Sequence, residues 1–549
     1  MSLSTILRYF YTVRYLKSKQ FFFRLFYKLF KGLPSKNLIS VKIRNSRGQT
    51  QKFLFREGCL VGPREFFLLN KKGGLDYLGW QGEEMSRLWR YNQHYFDFLN
   101  SEQSLNHKNW NIGLLLDWLR NNKPAKGVGW EPYPTSLRIV NWIKWSLSGN
   151  KLPDECIKSL AVQTAWLCSR VEFHILGNHL FANAKGLVFA GLFFEGEKAA
   201  KWLEKGLNII SLELNEQILS DGGNFELSPM YHAIFLEDLL DLINIAQAFP
   251  KQINTRMLDI WISKSGDMIN WLKTMSHPDG EIALFNDSAF KVASKPKYLF
   301  EYANTLSVAM KFVKDNPNII HLEESGYLRV DKSNLTLIMD VGKVGPDYLP
   351  AHAHADTLSF ELSLFGMRLF VNGGTSEYGS GEIRNYERST AAHNTVVVDN
   401  ENSSEVWAEF RVARRAYPIG LKIDQSEDLI NIECSHNGYE RLRKGLIHTR
   451  SWKIFKNCLH ISDLIEGSHS NAFAYYHLSP DIKILSTEAD KITLLMKNEE
   501  KIYLKYFGTS LEIIDGFYAS EFGKRTSNKF LKLGLDKLDG STLQVNWDL

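Results

Sequence analysis

The chain has 549 residues, more than one ordinary domain holds, and two or three domains with large cores are expected. Its composition, 44% hydrophobic and 23% charged with only 15 prolines, excludes a disordered or low-complexity protein. A net charge of +5 is compatible with an anionic polymer as partner but too small for a nucleic-acid binder.

Residues 1–84 read as an N-terminal basic amphipathic and connecting segment. Within it, 7–31 (LRYFYTVRYLKSKQFFFRLFYKLFK) repeats apolar and basic residues every three or four positions, as an amphipathic helix does. It holds no unbroken apolar run and no small-residue cleavage site, so neither a signal peptide nor a transmembrane segment is predicted. Two readings stand: a helix packed on its own domain, which is preferred, and a helix in peripheral contact with a membrane. From 85 to 315 the period is helical, with at least seven helices over 109–122, 136–149, 156–175, 179–194, 199–219, 233–249 and 257–275. Short connections make antiparallel pairs, and hence a bundle, solenoid or toroid.

Near residue 320 the period changes to alternation. GYLRVDKSNLTLIMDVG, TLSFELSLFGMRLFVNGG, HNTVVVD and GLIHTRSWKIFKNCLHISDLI read as half-buried strands, as do YLKYFG and STLQVNW near the end. Stacked antiparallel sheets are expected over 320–549, with the boundary at 310–325. The five scattered cysteines (Cys59, Cys156, Cys168, Cys434, Cys458) show no metal-ligand spacing and are expected to be reduced.

Several segments carry chemistry. If AHAHADTLSFELSLFG (351–366) is a strand, His352, His354 and Asp356 share a face with Leu358 and Phe360. Imidazoles in that company need a hydrogen bond, a metal or a cleft. His393 in AAHNTVVVD can close a zinc site with His354, but LFVNGG offers the amide of Asn372 where a carboxylate is the natural third ligand. In the helical half, LGNHLFANAKG (176–186) sets Asn178 and His179 before an apolar helix, where Asn178 also reads as an N-cap. DGGNFELSPMYH (221–232) enters a helix through Pro229 and carries Glu226, Tyr231 and His232.

Taken in order with LWRYNQHYFDFL (88–99), EPYPTSLRIVNWIKW (131–145) and NYERSTAAHNTVVVD (385–399), these segments resemble the heparinase II/III family. The resemblance implies an α+β multidomain fold: an incomplete (α/α) toroid, an antiparallel β-sandwich and an active cleft between them. It implies a polysaccharide lyase that cleaves a uronic-acid-containing acidic glycan by β-elimination. Asn178 and His179 would then neutralise the uronate carboxylate, and Tyr231 and His352 would handle the protons, Tyr231 as the acid. Donors on that carboxylate stabilise the enolate-like transition state. His354, position 372 and His393 match the family's zinc site, regarded as largely structural.

Two departures stand out. Asn372 replaces an aspartate that relatives generally carry, and Ala182 replaces an acidic residue that would orient His179. Glu226, Tyr378, Arg384, Tyr386 and Arg388 are candidate substrate-binding residues, the arginines as carboxylate forks. The alternative function is a glycan-processing or glycan-binding protein of a bacterial surface-polysaccharide assembly system, without lyase turnover. The expected location is the bacterial cytoplasm or membrane periphery, with the periplasm as the alternative.

Overall fold

The structure, a computed structural model, describes residues 3–30, 41–45, 48–309 and 318–547. Lys31 of the amphipathic segment and 310–317 of the expected boundary lie outside the described residues. The helices are α1 (Leu3–Val13), α2 (Ser18–Leu29), α3 (Leu75–Leu78), α4 (Arg87–Tyr95), α5 (Lys108–Asn121), α6 (Pro132–Leu147), α7 (Asp154–Ser169), α8 (Gly177–Phe193), α9 (Glu197–Gln217), α10 (Pro229–Ala248), α11 (Thr255–Thr274), α12 (Pro296–Thr305) and α13 (Glu382–Glu387).

The toroid has two layers that follow from side-chain pattern. α8 and α10 are apolar nearly all round, and 15 of the 17 residues of α8 and 18 of the 20 of α10 are buried. Helices of that kind must lie inside, and α6 joins them. α9, by contrast, buries 9 of 21 residues along one stripe and belongs, with α5, α7 and α11, to the outer layer. The lysines of the inner layer are paired: Lys144 bonds Asp241 at 3.0 Å, and Lys185 bonds Asp238 at 2.7 Å and Asp241 at 2.6 Å, whereas buried Arg138 is held by the neutral Gln163 and Thr135.

The second half is antiparallel. One sheet orders its strands 367–370, 360–364, 335–340, 327–332 and 319–322. A second orders them 418–425, 430–436, 447–454, 458–466, 541–546, 501–507, 491–495 and 483–487, and a third 396–398, 472–477, 524–534 and 510–521. Phe360, Trp452 and Tyr476, one from each sheet, meet in a shared core. A smaller apolar cluster joins the halves, with Trp271 of α11 and Met275 just past its end against Leu322, Tyr327 and Ile338.

The basic amphipathic segment forms two helices, α1 and α2, and packs on its own chain. Tyr9 of α1 sits edge-on to Trp407, 4.8 Å between centroids, and Thr12 Oγ1 accepts from Trp407 Nε1. Phe23 of α2 packs on Phe173, and Tyr27 donates to the Val171 carbonyl at 2.6 Å. Among the described residues no helix is long and apolar enough to cross a membrane.

Two predicted elements are shorter than expected. The helix expected to reach 175 stops at Ser169, because the chain turns out through Leu176 and Gly177, whose φ values are 70° and 55°. The strand expected over 351–366 spans only Phe360–Leu364. Residues 351–359 are a loop: Ala355 N donates to the Arg388 carbonyl, the His352 carbonyl accepts from Asp287 N, and Leu358 has φ 63°. His352 and His354 therefore share no strand face. The sequence reading also passed over α4, α12 and the small sheet of 60–62, 65–68 and 71–74.

Candidate active site

A cleft of about 1300 Å³ opens between toroid and sheets, partly roofed by α1 and α2. Asn178, His179, Glu226, Tyr231, His352 and Tyr378 all line it. Residues up to 200 positions apart in sequence are thus brought to one cleft, and each is placed by local structure.

Ser228 caps α10, its Oγ accepting from Tyr231 N–H at 3.2 Å, with Pro229 at the first helical position. Tyr231 therefore leaves the first turn of a rigid helix. Its ring stacks on His352, centroids 3.8 Å apart, and its hydroxyl meets that of Tyr378 at 2.9 Å. Burial pushes the Tyr231 phenol well above its ordinary range, and Tyr378 beside it pushes the same way. The phenol stays protonated and is suited to donate a proton.

His352 Nδ1 lies 2.9 Å from Asp287 Oδ2, so that nitrogen donates and Nε2 is left for the cleft. Glu226 Oε2 is 3.4 Å from Nε2. Asp287 is fully buried, which by itself would raise its pKa. The Arg384 guanidinium and hydrogen bonds from His352 and His354 instead hold it well below the carboxylate range.

Asn178 lies in the first turn of α8 and does not cap it, since the cap position belongs to Leu176. Its backbone N–H donates to Glu226 Oε1 at 3.1 Å, and its side chain opens on the cleft. His179 stacks on Tyr133 at 4.3 Å, and its Nδ1 lies 3.2 Å from Glu172 Oε2. Glu172 is held in turn by Asn183, through Nδ2 to Oε2 at 3.1 Å and through its own backbone N–H to Asn183 Oδ1 at 2.8 Å. The orienter expected at position 182 is supplied instead by Glu172, from the loop where a helix was predicted.

Other expected members lie elsewhere. Arg384 is fully buried with both nitrogens on Asp287, and Arg388 donates to the carbonyls of Ala353, Ala408, Glu409 and Arg411, so neither is a fork for substrate. Tyr386 lies on a separate depression beside Phe517. His232 is buried between Asn224 N and the Met268 carbonyl, and burial pushes it down to about 3. The residues missed by sequence reasoning are Glu172, Tyr133 and Asp287. Tyr133 sits within the quoted EPYP segment, whereas Asp287 in LFNDSAF carries no local signal.

The implied zinc ligands gather behind His352 but do not make a cation site. His354 Nδ1 and His393 Nε2 are 3.1 Å apart, whereas Asn372 Oδ1 faces the other nitrogen of His393 at 3.2 Å, and Asn372 Nδ2 has no partner. A neutral amide also brings no charge to a dication. Among the described residues no group of three or more His, Cys, Asp or Glu is placed to hold a metal ion. All five cysteines are free.

Comparison with known proteins agrees with this layout. The model of the heparinase II/III N-terminus matches residues 83–312, and that of the heparinase II/III-like C-terminal region matches 314–542. A heparin-sulfate lyase of Bacteroides stercoris is 30% identical over 356 residues, 60% of this chain and 49% of that protein. One of Pedobacter heparinus is 26% identical over 254 residues, 41% of this chain and 36% of that protein. The chain thus spans about half or less of the length of these curated relatives. Among solved structures, a heparinase III superposes with TM-score 0.70 at 18% identity, over 95% of this chain and 88% of that one. The heparinase III product of gene BT4657 gives 0.63 at 20% identity, over 86% and 80%.

Proposed function

Since the chain belongs to the heparinase II/III family, we propose that it is a polysaccharide lyase cleaving a uronate-containing glycan by β-elimination. The observation that carries this is the stacking of Tyr231 of the toroid on His352 of the sheet half, in one cleft with Asn178 and His179. Asn178 and His179, at the positive end of α8, bind the uronate carboxylate and stabilise the charge that develops when C5 loses its proton. His352 Nε2 takes that proton. Glu226 beside it and Asp287 behind it stabilise the imidazolium that results. Tyr231 protonates O4 as the C4–O4 bond breaks, leaving a 4,5-unsaturated uronate and a free hydroxyl on the departing sugar.

The test is a panel of uronate-containing glycans, followed by the ultraviolet absorbance of the unsaturated product. Absorbance that rises with the native chain and is lost in Tyr231→Phe and His352→Ala supports the reading. New reducing ends without absorbance would show hydrolysis, and binding without either would show a glycan-binding protein.

We also propose that α1 and α2 seat the protein on an anionic membrane surface. Their inner faces pack on the chain, but Ile6 and Phe10 of α1 and Phe22, Leu25 and Leu29 of α2 face outward at helical spacing, all exposed. The first 56 residues hold 13 of the 66 Lys and Arg and none of the 61 Asp and Glu. A basic, apolar surface of this kind complements anionic headgroups. Because α1 and α2 roof the cleft, docking would bring its mouth to the lipid surface, where a surface polysaccharide is assembled. Sedimentation with phosphatidylglycerol-containing vesicles, lost in the Phe22→Ser, Leu25→Ser, Leu29→Ser triple variant, supports this reading. A native chain that ignores those vesicles ends it.

A further inference from the structure

The chain holds two copies of one buried arrangement, at different places in the sheet half. In the first, Gly438 N–H donates to His436 Nδ1 at 3.1 Å, and His436 Nε2 lies 3.1 Å from His448 Nδ1. His448 Nε2 lies 2.8 Å from Asp463 Oδ1, and Arg450 clamps that carboxylate at 2.7 and 2.9 Å. A backbone N–H can only donate, so every proton here is assigned. His436 carries its proton on Nε2 and gives it to His448 Nδ1, and His448 gives its Nε2 proton to Asp463. No metal is needed.

The second copy stands behind the cleft. His393 Nε2 is 3.1 Å from His354 Nδ1, His354 Nε2 is 2.8 Å from Asp287 Oδ1, and Arg384 clamps Asp287 through both terminal nitrogens. The His–His and His–carboxylate distances repeat those of the first. Where Gly438 N–H stood, the amide of Asn372 faces His393 Nδ1 at 3.2 Å. His354 must give its Nε2 proton to the Asp287 carboxylate, which leaves Nδ1 as an acceptor. If Asn372 presented its oxygen, His393 would spend its proton on that oxygen. Two bare imidazole nitrogens would then face each other at 3.1 Å. Presenting the amide nitrogen removes the conflict, gives the orphaned Nδ2 a partner, and leaves an unpaired carbonyl oxygen, the better tolerated orphan. An aspartate at 372 has no such choice: it only accepts, so it takes the His393 Nδ1 proton, leaves the two bare imidazole nitrogens facing each other at 3.1 Å, and calls for a cation between them with the carboxylate behind the His393 ring.

We propose that Asn372, His393, His354 and Asp287 form a metal-free, one-way hydrogen-bond chain, with Asn372 its terminal donor and residue 372 the switch between chain and metal site. Asp287 passes the order on by accepting His352 Nδ1–H, so His352 exchanges protons with the cleft only through Nε2. These four are positioning residues. That last consequence rests on the proposed elimination, whereas the chain itself does not.

Neither decisive readout uses substrate, so failure here is distinct from failure of the lyase reading. After equilibration with zinc and desalting, the native chain should retain far less than one zinc, and Asn372→Asp about one per chain with a raised Tm. Long-range ¹⁵N–¹H spectra of the histidine-labelled native chain should show His393 and His354 each protonated at Nε2 alone, as His436 and His448 are. A native chain that keeps about one zinc until chelated would overturn the proposal. So would a folded Asn372→Asp that binds zinc no better than the native chain. His393 protonated at Nδ1, turned to the Glu387 carbonyl beside it, or a doubly protonated His354, would overturn it too. If Asn372→Asp does not fold, the native spectra decide.

Discussion

Tyr231 and Tyr378 share a hydrogen bond of 2.9 Å, yet only Tyr231 starts a helix and stacks on His352. Both phenols are pushed well above their ordinary range, chiefly by burial, so neither is ionised near neutrality and neither is a base there. The division of labour at the cleft follows: Tyr231 donates and His352 accepts. Tyr231→Phe removes one hydroxyl from a position otherwise fixed by packing, and stability should change by about 1 kcal/mol. The rate should fall by about 10²–10⁴, the usual worth of a positioned acid. Tyr378→Phe keeps the donor and should cost far less. Initial rates of unsaturated-uronate formation and thermal unfolding of the same samples check both, and a Tyr231→Phe enzyme of near-native rate removes Tyr231 from the acid's role.

The start of α8 is the element on which the site turns. A Cβ on Gly177 would lie 2.5 Å from Leu349 Cδ2 and 2.6 Å from Glu226 Oε1, in a backbone conformation that L side chains rarely adopt. Gly177→Ala should therefore displace Glu226 from Asn178 N–H and tilt the carboxylate-binding end of α8, at a strain of about 1–3 kcal/mol. The expected signature is a KM raised at least several-fold with the fold retained by circular dichroism. A Gly177→Ala enzyme with native KM would show that the turn is not what positions Asn178. The same turn explains what could and could not be read from sequence. α6, α8 and α10 were legible because their apolar runs are too long and continuous for anything but buried helices. Strands such as 447–454, 458–466 and 541–546 were legible by alternation, whereas 351–359 alternates in sequence yet forms a loop, and Asn178, His179, Tyr231 and His352 were picked out by motif. Glu172 was not, because a helical pattern continues through 171–175 while the chain does not. Asp287 was not, because its partners, His352, His354 and Arg384, lie 65 to 97 positions away.

At the scale of the whole molecule, the buried histidines set how it responds to acid. His94, His232, His277, His354, His393, His436, His448 and His477 are all nearly inaccessible, and burial, the largest cause in each case, holds every one below the ordinary histidine value. The unfolded chain regains a pKa of about 6.5 at each position. Below that value it binds more protons than the fold does, so the stability these groups contribute is present above about pH 6.5 and lost as pH falls through it. Each neutral site takes up to about 1.4 kcal/mol per pH unit from the fold. Five buried carboxyls act oppositely: burial pushes Glu387 up to about 7, Asp356 to about 6, Asp340 well above its usual range, and Asp238 and Glu213 upward as well, and their share is lost as pH rises. Eight sites outweigh five. Asp287 and Asp463, held low by Arg384 and Arg450 against the effect of burial, add a further loss only below about pH 4. The Tm should therefore start to fall near pH 6.5, above the range in which carboxylates alone denature a protein, and fall steeply by about pH 5. Calorimetry from about pH 7.5 to 4.5 measures this directly, and a Tm that stays level to about pH 4.5 would mean that these histidines are charged inside the fold.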